Sequence, residues 1–133
     1  MKIVIAIDSF KGSMSSMAAG NAAKAGILRV CDAEIVVKPL ADGGEGTTEA
    51  LVEGLGGEYV SVWVTGPLGE RTKARYGILG DGRTAVMEMA QAAGIVLVNR
   101  EELDPTRATT YGVGEMILDA VKRGCREFII GIG

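Results

Sequence analysis

The hexapeptide "KIVIAI" (2–7) narrows the choice of folds more than any other stretch of this chain. An apolar run this short, with no polar face for solvent, suits a strand buried on both sides, the setting of a parallel sheet flanked by helices. It stops at Asp8, and "DSFKGS" follows as a loop. From there Met14, Met17, Ala18, Ala22, Ala25 and Leu28 recur at helical spacing, with Ser13 as the expected N-cap. "AEIVVKPL" (33–40) reads as the next strand, stopped near Pro39.

A glycine-rich loop comes next, and a helix is expected from about Thr47 to Leu55, ended by "GLGG" (54–57). The texture then changes. From about 58 to 98 apolar positions alternate and are broken by "GPLG" and "GDG", the chemistry of hairpins. Asp81-Gly82 is a good tight-turn pair. A polar connection leads to a helix at about 111–123, with Val113, Met116, Ile117, Ala120 and Val121 on one face, and "REFIIGIG" (126–133) begins another buried strand. The spacing therefore predicts a parallel α/β frame interrupted by an antiparallel segment. The last strand reaches a Gly-x-Gly just where a ligand loop would begin, so the chain is expected to be a fragment of a longer protein.

Composition excludes several classes. A length of 133 residues suits one ordinary domain with a real core. The net charge of −3 argues against a nucleic-acid surface. No apolar run reaches membrane-spanning length and no signal-peptide pattern opens the chain, so the expected setting is the cytoplasm, with no membrane partner. Cys31 and Cys125 lie far apart and are expected to be reduced structural thiols. With no histidine present, Ser-His-Asp, Cys-His and typical zinc chemistry are absent from this stretch.

Three loops carry chemistry. In "IDSFKGSM" (7–14), Lys11 could pair with a phosphate and Gly12 would let backbone N–H groups approach it. Ser13 could cap the helix or hydrogen-bond an oxyanion, and an ordinary βα turn with a solvated lysine is the competing explanation. The order Lys-Gly-Ser is not that of a Walker A loop. "LADGGEGTT" is more specific: Gly43, Gly44 and Gly46 are too many for a simple cap. Acids at a helix start suit the helix dipole but repel a phosphate unless a cation stands between them. Asp42 and Glu45 could hold Mg²⁺, or one of them could take a proton from a substrate hydroxyl. In "TTYGVGE" (109–115), Thr109 and Thr110 could hydrogen-bond substrate oxygens or simply cap a helix. "VTGPLGE" (64–70) reads as a turn, the methionines as core, and Glu88 as the outward residue of an alternating strand, the alternative being a buried, ligand-facing acid.

Taken in order, "IVIAIDSFKGS", "PLADGGEGT", "VTGPLGE", "AVMEMAQAAGI", "TTYGVGE" and "FIIGIG" resemble the N-terminal part of the bacterial type-1 glycerate kinases, over essentially the whole chain. Each motif alone is weak; the ordered set is specific. Two departures stand out: Ile7 occupies a position where the family usually has Pro, and the chain stops at Gly133, before the family's glycine-rich "GGSATNDGG"-type loop. The resemblance implies transfer of the ATP γ-phosphate to D-glycerate, usually giving 2-phosphoglycerate, with Mg²⁺. It also implies a Rossmann- or flavodoxin-like α/β domain with a second domain inserted. The boundaries expected are 1–57 for the first part of the α/β domain, 58–98 for the β-rich inserted segment, and 99–133 for the return.

Carried over by position, Asp8, Ser9, Lys11 and Ser13 match the first ligand loop, Asp42, Gly43, Gly44, Glu45 and Thr47 the second, and Thr109, Thr110 and Gly112 the third. The roles expected are Asp42 as general base or orienter of the attacking hydroxyl, Asp8 or Glu45 on Mg²⁺, and Lys11 on a phosphate or the glycerate carboxylate, all three loops converging on one sheet edge. The alternatives are a kinase for another small hydroxy acid and a non-catalytic metabolite-binding or assembly module. The isolated chain, with a sheet edge left open, is expected to be marginal or self-associating.

Overall fold

The computed structural model describes residues 1–10 and 13–132. Its strands are β1 (Lys2–Ile7), β2 (Glu34–Pro39), β3 (Gly57–Thr65), β4 (Arg71–Leu79), β5 (Thr84–Glu88) and β6 (Glu127–Gly131). Its helices are α1 (Ser16–Leu28), α2 (Thr47–Leu55), the short α3 (Ala90–Ala93) and α4 (Tyr111–Lys122). The strands form two sheets: a parallel pair, β1–β2, and a four-stranded sheet in the order β3-β4-β5-β6. Within the second, β3–β4 and β4–β5 are antiparallel and β5–β6 is parallel.

The first unit is the expected βαβ, in which α1 carries the chain from β1 to its parallel neighbour β2. α1 packs tightly on β2 at Gly20, where a Cβ would collide with the Val37 side chain. The cap is Ser15 rather than the expected Ser13: the Ser15 hydroxyl accepts the Ala18 N–H at 3.2 Å. Ser13 is occupied in a turn, its N–H donated to the Phe10 carbonyl at 2.8 Å. Burial of β1 on both faces is not realised. Ile5 is buried, but its neighbour Val4 remains 58% exposed, because α1 covers one face only.

In the second unit helices cover both faces of the sheet. Val64, Ala74, Tyr76, Ala85 and Met87 form one core with Val113, Met116 and Ala120 of α4 and Ala92 of α3. Because side chains alternate along a strand, the next residues point the other way: Val86 and Leu79 pack against Val52 of α2. Gly77 lies under α2 and has no room for a Cβ, which would meet Val52. Full burial of a side chain such as Met116 contributes roughly 1.5–3 kcal/mol. The Asp81-Gly82 turn forms as expected between β4 and β5. Asp81 Oδ1 accepts the N–H groups of Arg83 (2.8 Å) and Thr84 (2.9 Å), and Oδ2 accepts the Thr84 hydroxyl at 2.6 Å. The Thr84 hydroxyl and these two N–H groups hold the Asp81 carboxyl down at about 2.

β6 pairs with β5, and β5-α4-β6 is a second parallel βαβ unit in the sheet that also holds β3 and β4. This register sets Ala85 beside Phe128 and Val86 beside Ile129.

Candidate functional site

The two units meet at a cavity of about 310 Å³. The loop after β1 contributes Asp8, Ser9 and Ser13, and the start of α1 adds Ser15 and Ser16. The loop before α2 contributes Glu45 and Gly46, and the helix itself Thr48 and Glu49. The second sheet closes the space with Arg75, Glu88 and Gln91. The first two loops singled out in the sequence thus face one cavity at the C-terminal ends of β1, β2 and β5, as parallel α/β architecture demands.

The second loop owes its shape to its glycines. Gly43 (φ 97°) and Gly46 (φ 91°) both adopt the left-handed conformation, and Gly46 caps α2 with backbone alone. Thr47 locks the loop by donating its hydroxyl to the Gly44 carbonyl at 2.8 Å. Asp42 serves the same end: its Oδ1 accepts the Gly44 N–H at 2.9 Å, an Asx turn. Asp42 is exposed and does not line the cavity, so the carboxylate expected to be the base is the one that braces the loop. Its neighbour Glu45 does face the cavity. In the first loop Asp8 Oδ1 accepts the N–H of Ser9 at 2.6 Å. Lys11 and Gly12, expected to hold a phosphate, lie outside the described residues.

The third loop stands elsewhere. The Thr109 N–H is donated to the Pro67 carbonyl at 2.9 Å, and its hydroxyl accepts the Tyr111 N–H at 3.1 Å. Gly112 presses on the Thr65 carbonyl so closely that no Cβ would fit. Glu115, one turn on, accepts the Thr65 N–H, a bond that lowers its carboxyl below the ordinary range. Thr109 and Gly112 thus anchor α4 to the β3–β4 hairpin, while Thr110 is the exposed N-cap position of α4 and its carbonyl accepts the Val113 N–H at 3.0 Å. The three do not line the cavity of Asp8 and Glu45, because α4 covers the opposite face of the sheet from α2.

Two cavity residues had no place among the ligand groups expected from the sequence, or only a misread one. Glu88, assigned to the outward side of a strand, is 3% exposed. Its Oε1 accepts the Thr48 N–H at 2.7 Å, so a buried acid receives one of the free donors at the α2 N-terminus. The signal available was its place in an apolar run, "AVMEMA". Arg75 gave no signal at all, since it sits in an alternating strand like any solvated arginine. In the fold its guanidinium lies 4.4 Å from the centre of the Tyr59 ring, a cation–π contact.

The donor set fits Mg²⁺ of one kind only. Among the described residues no three acids, cysteines or histidines come together as a metal cage. Mg²⁺ is usually held by one or two carboxylates together with waters and substrate phosphates, and Asp8 and Glu45 at the cavity wall can supply that number. No helix among the described residues is long and apolar enough to cross a membrane.

Comparison with known proteins places these features in a family context. A sequence profile of the glycerate kinase family matches residues 3–133. Glycerate 2-kinase of Escherichia coli (strain K12) is 49% identical over 134 residues, covering 100% of this chain and 35% of that protein. Glycerate kinase of Bacillus subtilis (strain 168) is 48% identical over 134 residues, again 100% of this chain and 35% of the relative. A crystal structure from Salmonella typhimurium LT2, of a protein named glycerate kinase 2, superposes with a TM-score of 0.91 at 48% identity, over 100% of this chain and 36% of that one. The chain therefore spans about a third of the length of the relatives it matches.

Proposed function

The chain belongs to the glycerate kinase family, and from that premise we propose that it supplies part of an ATP-dependent kinase acting on D-glycerate and giving 2-phosphoglycerate. The observation that carries the proposal is the meeting of two acid-bearing segments, one with Asp8, Ser9 and Ser13 and the other with Glu45, Gly46 and Glu49, at one cavity. A site for a neutral or simply anionic metabolite has little use for several carboxylates; a magnesium-nucleotide site needs them. Bound Mg²⁺ would neutralise phosphate charge, and Asp8 is the residue proposed to hold it. Glu45 is proposed to accept the hydroxyl proton of the substrate, with Asp42 moved from that role to shaping the loop. Lys11 and Gly12 keep the phosphate role suggested by their sequence, and Ser9 and Ser13 stand ready to hydrogen-bond phosphate oxygens. Thr47, Gly43 and Gly44 act through the loop, and Thr109, Thr110 and Gly112 through the seating of α4.

The division of the chain at 57/58 and 98/99 is part of the same proposal, as is a cytoplasmic setting, with the third stretch attached through β5. So is self-association of the isolated chain. The exposed apolar residues Val4 (58%), Ile130 (38%) and Ile132 (74%) support it. A monodisperse monomer in sedimentation would remove that element.

Coupled ADP-release assays on a full-length enzyme carrying this sequence test the function. Turnover is expected with glycerate and ATP, and its absence would end the proposal. Glu45→Gln should lower kcat by about 10²- to 10⁴-fold, the usual scale for a lost general base. Asp42→Asn retains the acceptor oxygen of the Asx turn and should stay within a few-fold of the parent.

A further inference from the structure

Arg75, Thr48 and Glu88 occupy one patch of the cavity wall. β4 and β5 pair through Gly77 with Val86 and Ile78 with Ala85, a register that puts Arg75 opposite Glu88. Arg75 and Gly77 are two residues apart on one strand and so share a face. On that face a Cβ at Gly77 would lie 3.3 Å from the Thr48 methyl carbon, so the absent side chain makes room for Thr48 against the strand.

Thr48 and Arg75 are left with unused capacity. Thr48 is 4% exposed, lines the cavity, and its hydroxyl has no hydrogen-bond partner among the described residues. A buried hydroxyl left unpaired costs about 1–3 kcal/mol, which a chain tolerates most readily where a ligand completes the bond. Arg75 makes no ion pair among the described residues, although Asp8, Glu45, Glu49 and Glu88 line the same cavity. Its guanidinium is steadied instead by the Tyr59 ring, and its backbone N–H by Gln91 Oε1 at 3.3 Å. A planar fork held in place with its donors unspent suits a carboxylate, which it can grip with two parallel bonds.

We propose that Arg75 and Thr48 form the subsite that holds the carboxylate of the hydroxy-acid substrate. Glu88 helps position that subsite by fixing the Thr48 backbone. Clamping the acid end leaves the hydroxyl end of a three-carbon acid directed toward the carboxylates of the two loops. The inference rests on the kinase function proposed above and deepens it.

The test uses the full-length enzyme carrying this sequence, with the Arg75→Ala, Arg75→Lys and Thr48→Val variants. Arg75→Ala should raise the KM for glycerate by about 10- to 100-fold, the range for losing charged hydrogen bonds, and leave the KM for ATP within about twofold. Arg75→Lys should recover only part of the loss, because an ammonium lacks the fork. Thr48→Val keeps the N–H that binds Glu88 and removes the orphan hydroxyl. It should raise the KM for glycerate by about threefold to tenfold while leaving Tm unchanged or higher, a pair of effects that a merely structural threonine would not give. An unchanged glycerate KM in both the alanine and valine variants overturns the subsite, and so does a rise in KM for ATP in place of glycerate. Absence of glycerate turnover in the unsubstituted enzyme overturns the kinase reading itself, and the subsite with it.

Discussion

The two units of this chain use the same βαβ grammar with unequal depth. In β5-α4-β6 and the strands beside it, Val64, Ala74, Tyr76, Ala85, Val86, Met87, Met116 and Ala120 are almost completely removed from solvent. In β1-α1-β2 the buried apolar residues are Ile5, Ala19 and Ile35, and Val4 and Leu28 stay substantially exposed. The acid-bearing loops lie at the edge of the thinner unit and lean on the thicker one through the Glu88–Thr48 bond. Stability and site geometry are therefore drawn from different places. A rigid sheet positions Arg75 and Glu88, while the loops that carry Asp8 and Glu45 belong to a part with less to hold it still.

That contrast can be broken most forcefully at Met116. Truncation to alanine should destabilise the four-stranded unit by about 2–5 kcal/mol, seen as a large fall in the urea midpoint. Val4→Ser, on the uncovered face of β1, should barely move it. Equal effects would mean that the thin unit is covered as well as the thick one. Next come the glycine contacts. Gly77→Ala and Gly20→Ala both force a Cβ into a valine and should each cost about 1–3 kcal/mol. Hydrogen exchange should report the Gly77 change throughout β4 and α2, and the Gly20 change only in α1 and β2. Smaller again is the helix cap: Ser15→Ala should cost about 1 kcal/mol, read from the melting of α1, and Ser13→Ala distinctly less. The smallest effect is acid titration of the Asp81 turn. Its carboxyl is held near 2 in the fold against 3.8 in the open chain. Its stabilising contribution is therefore complete above about pH 4 and fades as pH falls through about 2. Asp81→Asn should remove that part of the acid sensitivity from a pH-melting series.

The sequence was most legible where a local pattern decides structure alone. The Asp81-Gly82 turn, the strands on either side of it, and the extents of α2 and α4 follow from turn chemistry and periodicity. It was least legible where the decision is made at long range. Whether β6 joins β1 or β5 depends on which apolar edge is nearer in space, and "EFIIG" suits either. The inward turn of Glu88 depends on α2 starting above it, forty residues away in sequence, and Arg75 lines the cavity only because the two units meet there. The loop acids show a different difficulty. Asp42 and Glu45 are equally plausible on paper, and an Asx turn, which needs Gly44 at the right distance, separates the brace from the group that faces the cavity.

Gly131, at the end of β6, lies against the carbonyl of Gly43 so closely that even a methyl group would collide with it. The strand end thus works as a stop against which the glycine loop rests. Any slip of β6 along β5 would move that stop and tilt Glu45 relative to Asp8 without altering either side chain. Alignment of the two loops is in this sense set by a missing atom on the far sheet, and replacements at 131 should disturb the cavity from outside its walls.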